Sequence, residues 1–126
     1  MGIYSCIGKN KEEVVKSLFE GKSGIGIVPE RKEMGYQSAL SGILEKPNLK
    51  GALDRRQRLC LSEHGQYAYV ATVEALAQAG IDKEYLLNNE VGILYGNDSS
   101  AEAVITGTDI IREKKNTVLV GSGNIF

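Results

Sequence analysis

Apolar residues recur at three- and four-residue steps in some stretches of the chain and gather into short unbroken runs in others. The first periodic stretch is "KEEVVKSLFEG", directly after Asn10. Asn10 can accept from the free N–H groups of a first helical turn, Glu12 and Glu13 suit the positive end of the helix dipole, and Gly21 closes the segment. Val14, Val15, Leu18 and Phe19 form its expected buried stripe. Residues 62–79, "SEHGQYAYVATVEALAQA", make the clearest helix, with Tyr69, Val70, Val73, Leu76 and Ala77 on one apolar stripe. Ala68, Ala71 and Ala75 would admit a closely packed neighbour. Gly80 ends this helix, and Asp82 caps a short one reaching about Leu87.

The remaining patterns are shorter. Glycine-rich loops after Gly21 hold two strand candidates, Gly26–Val28 and Ala39–Leu44. Glu90–Tyr95 is nearly all apolar, as expected of a strand covered on both faces. It breaks at Gly96 into the small polar cluster "GNDSS", where Ser99 or Ser100 begins another helix through "AEAVITGTDIIREKK". The basic end of that helix faces its own C-terminal dipole. "NTVLVGSGNIF" follows and begins as an apolar run. Helices and strands in this order indicate an α/β arrangement.

Composition narrows the reading. The 126 residues fit one domain, 1–126, and 42% hydrophobic with 25% charged residues argues against both disorder and a membrane span. A net charge of −1 gives no reason to expect nucleic acid or a membrane surface as partner. Cys6 and Cys60 make neither a disulfide framework nor, with the single histidine, a zinc signature. "MGIYSCIGKN" lacks the apolar run of a secretion signal, so a cytoplasmic setting is expected. "MGIYSC" fits the N-myristoylation pattern only loosely.

Each candidate for chemistry has a plainer reading. "YGNDSS" matches neither the dinucleotide nor the P-loop pattern, no lysine is placed to meet a phosphate, and a strand-to-helix turn explains it. His64 stands at a helix start, where a solvated polar residue is ordinary. Cys6 has no adjacent base or cation and reads as a small buried residue, and Cys60, between two leucines, reads as core. In "DRRQR", Arg55, Arg56 and Arg58 could meet an anionic partner, or Asp54 pairs with an arginine to fix the loop. No nucleophile with its base can be assembled, so no catalytic residue, metal ligand or cofactor-binding residue is expected.

Taken in order, "MGIYSCIGKNKEEVVKSLFEGKSGI", "DRRQRLC", "QYAYVATVEALAQAGI" and "VGILYGNDSS" resemble the N-terminal part of β-ketoacyl-acyl carrier protein synthases of the elongating I and II types. The resemblance covers nearly the whole chain, and "EALAQAGI" before a short helix and a "VG" strand is its most specific part. It implies part of the N-terminal half of a thiolase-like αβαβα layered fold, without its first strand. It implies an acyltransferase of fatty-acid synthesis, condensing acyl and malonyl thioesters of acyl carrier protein, and a homodimer. Family members carry their nucleophilic cysteine, two histidines and lysine beyond the region matched, so the fragment is expected to be inactive alone and Cys6, Cys60 and His64 inherit no catalytic role. "GNDSS" is similar to the family's turn lining the acyl pocket, at Asp98 or Ser99. Family members commonly have glycine or isoleucine there, so this polar pair is a departure. Gly121 to Phe126 approaches the family's dimer interface, and Arg55, Arg56 and Arg58 are candidates to touch the carrier. The rival readings are a non-catalytic partner subunit of a condensing enzyme and an independent small α/β ligand-binding domain.

Overall fold

The computed structural model describes residues 1–97 and 101–124. In chain order its elements are α1 (Lys11–Phe19), β1 (Ile25–Ile27), α2 (Glu30–Glu33), β2 (Leu40–Gly42), α3 (Arg55–Leu59), α4 (Glu63–Ala79), α5 (Lys83–Asn88) and α6 (Ala101–Lys114). Two 3-10 turns follow, Thr117–Leu119 and Ser122–Asn124. The chain divides into two compact units, one of residues 1–45 and 70–80, the other of residues 46–69 and 81–126.

In the first unit the expected local signals act as read. Asn10 accepts the N–H of Glu13 at 2.9 Å, which caps α1, and Gly21 follows the helix at φ 64°. The two strand candidates pair as an antiparallel hairpin with Ile25 opposite Gly42 and Ile27 opposite Leu40. The α4 residues of this unit hold the N-terminal segment. Gly2 lies so close to the helix backbone that a Cβ there would stand 1.8 Å from the Ala71 carbonyl oxygen and 2.7 Å from the Ala75 nitrogen. Ala71 and Ala75 therefore do admit a close neighbour. The Glu74 carboxylate accepts the N–H of Ile3 at 2.8 Å and of Lys11 at 2.7 Å.

The second unit is organised around its C-terminal turns. A Cβ on Gly107 of α6 would meet the Asn124 carbonyl at 2.8 Å, and one on Gly123 would meet the Leu61 and Ser62 backbone at 2.5 and 2.6 Å. Glycine permits these crossings, which bring residues 121–124 against α6 and against the segment before α4. Asp82 accepts from Tyr85 N–H and caps α5, as expected.

Several expectations are corrected. Glu90–Tyr95 is not a strand: residues 90–97 carry no regular structure, Ile93 is 89% exposed and Leu94 fully so. A lone extended run has unpaired N–H and C=O groups, and no strand lies beside it among the described residues to take them. Of the α1 stripe only Val14 is buried, while Phe19 is 90% exposed. The α4 stripe is not buried, and Val73 is exposed. Cys60 is exposed rather than core, because it is the C-cap of the short surface helix α3. The buried apolar residues among those described are Val14, Leu49 and Ala103. The mixed helix and strand content agrees with the α/β reading, and the one sheet described is the two-stranded hairpin.

Candidate functional site

Asp98 and Ser99, the expected acyl-pocket positions, lie outside the described residues. The segment leading to them is described. Tyr95 stacks on His64, with ring centroids 6.4 Å apart and planes 8° from parallel. His64 in turn lies 2.9 Å, through Nε2, from the buried Ser62 hydroxyl. His64 is therefore a packed ring joining the start of α4 to the apolar run, not the freely solvated residue that its place in the sequence suggested. After Tyr95, nothing among the described residues lies within 4 Å of where a Cβ on Gly96 would point.

Beside this contact is a polar cavity of about 250 Å³ whose lining includes Lys46, Arg58, Glu63, His64, Glu102 and Thr106. Burial pushes the Glu63 carboxyl up, but hydrogen bonds from Lys46 and the Tyr67 hydroxyl outweigh it, and the group titrates below its ordinary range. Tyr67 donates to Glu63 at 2.8 Å, one helical turn along, and Lys46 forms an ion pair with the same carboxylate. The only local sequence signal of this Glu63 arrangement is the i,i+4 spacing of Glu63 and Tyr67 on the helix. A glutamate held as a partnered anion serves to fix geometry rather than to move a proton.

The basic cluster departs from one of its two readings. Asp54 does not pair with an arginine. It accepts the Gln57 N–H at 2.8 Å while the Gln57 side chain accepts the Asp54 N–H at 2.9 Å, a complete capping box for α3. Arg58 donates to the Leu53 carbonyl and is committed to the loop. Arg55 and Arg56 are exposed and make no ion pair among the described residues.

The cysteines show no catalytic arrangement. The Cys6 sulfur is wedged beside the hairpin, 2.7 Å from where a Cβ on Gly24 would stand and 3.4 Å from one on Gly42. Reactive thiolates favour helix N-termini or cationic neighbours, whereas Cys60 is at a helix C-terminus. Among the described residues no three His, Cys, Asp or Glu side chains group as a metal site, and no helix is long and apolar enough to cross a membrane.

Residues 1–124 match the family model described as "Beta-ketoacyl synthase, N-terminal domain". The chain belongs to the β-ketoacyl synthase family. Its similarity to 3-oxoacyl-[acyl-carrier-protein] synthase 1 of Haemophilus influenzae is 36% identity over 121 residues, 95% of this chain and 30% of that protein. With the synthase 1 of Escherichia coli it is 35% identical over 123 residues, 96% of this chain and 30% of the other. With synthase 2 of Staphylococcus aureus it is 26% identical over 97 residues, 77% of this chain and 24% of the other. The chain thus spans about 30% of the length of the synthase 1 proteins it matches.

Proposed function

We propose that these residues are the N-terminal segment of a 3-oxoacyl-[acyl-carrier-protein] synthase working in the cytoplasm as a homodimer. The observation that carries this reading is the family match over residues 1–124, joined to synthase 1 similarity across nearly the whole chain. In the proposed reaction a cysteine thiolate outside this segment attacks the acyl-carrier thioester and releases the carrier thiol. Loss of CO₂ from a malonyl-carrier leaves a carbanion. That carbanion attacks the acyl-cysteine carbonyl, forming the 3-oxoacyl-carrier and freeing the thiolate. Backbone N–H groups stabilise the oxyanions, and no cofactor is consumed.

The segment's own part in this is recognition and framework. Its α/β elements belong to a thiolase-like layered fold. The turn with Asp98 and Ser99 lines the acyl pocket. Gly121 to Phe126 lies at the dimer interface. Arg55 and Arg56 meet the acidic carrier; their exposure, and the lack of ion pairs to them among the described residues, support that role.

The test is a chimera in which residues 1–124 replace the matching segment of the Haemophilus influenzae synthase. The chimera is expected to condense acyl- and malonyl-carrier at a measurable fraction of the parent rate. A chimera that is soluble and dimeric like the parent but makes no 3-oxoacyl product would overturn the proposal.

A further inference from the structure

We draw no further inference here: the strongest candidate, the apolar groove beside α6 in the second unit lined by Val104, Gly107, Ile111 and Val120, is an unpartnered face, and nothing in the structure shows what covers it.

Discussion

Glu74 accepts the backbone N–H of Lys11, the first residue of α1, at 2.7 Å, and with its other oxygen holds Ile3. One carboxylate so fixes both ends of the N-terminal loop that carries Cys6. These two backbone donors, Lys11's first, favour the charged form and hold the Glu74 carboxyl below its usual range. A depressed carboxyl stabilises the fold above its unfolded pKa, near 4.3 for glutamate, and loses that contribution as pH falls through the folded value. Glu74→Ala is expected to lower the chain's stability at pH 7 and to flatten its dependence on pH below about 4.3. Urea titrations at pH 7 and pH 3.5 measure this; equal losses at both would contradict it.

Gly2→Ala is expected to be far more damaging than an ordinary loop substitution. Its Cβ would sit 1.8 Å from a helix carbonyl, which no rotamer change can relieve. The cost should exceed about 2 kcal/mol in urea unfolding, beyond the usual surface range of about 0.5 kcal/mol. A variant as stable as the parent would show that the N-terminal segment does not lie on α4.

Asp54→Ala removes the capping box of α3 and should cost about 1 kcal/mol of stability. Arg55→Ala with Arg56→Ala should change stability by less than about 0.5 kcal/mol. In the chimera the same pair should weaken carrier affinity several-fold, and more so at low salt. Surface plasmon resonance against acyl carrier protein separates the two effects. Unchanged affinity in the double variant would remove these arginines from the carrier surface.

Incubated alone with acyl- and malonyl-carrier, the 126-residue chain should yield no 3-oxoacyl product. Mass spectrometry of the carrier, read against a parent synthase control, decides this. An acyl adduct on Cys6 or Cys60 that turns over would sink it.

Large apolar side chains stand in solvent along 90–97 and on α1, while the buried apolar set is small. Exposed apolar surface on this scale favours association. Sedimentation should show species above the 13.7 kDa monomer, and calorimetry a broad transition. A sharp cooperative transition at monomer mass would refute this.

The elements legible in the sequence are those whose signals are local. Asn10 and Asp82 cap α1 and α5, and Gly21 and Gly80 take positive φ after α1 and α4, because such signals span three or four residues. The Asp54–Gln57 box was equally local, but the adjacent arginines suggested an ion pair instead. Helix α2 leaves no periodic trace in the sequence, being a four-residue turn after Pro29. Glu90–Tyr95 failed for the opposite reason: a strand exists only with a partner, and the apolar run says nothing about whether one is present. Of the site, His64 was visible as a residue, but its stacking on Tyr95, thirty-one positions on, was not.

The wedge of Cys6 between Gly24 and Gly42 gives the chain a built-in clock. Cys6 is half-buried there, so a maleimide is expected to reach its sulfur more slowly than that of Cys60. Cys60, exposed at the end of α3, reacts without waiting and supplies the internal zero of time. The ratio of the two rates then reports how firmly the hairpin sits on the N-terminal loop, with no residue substituted and no need for the whole chain to unfold.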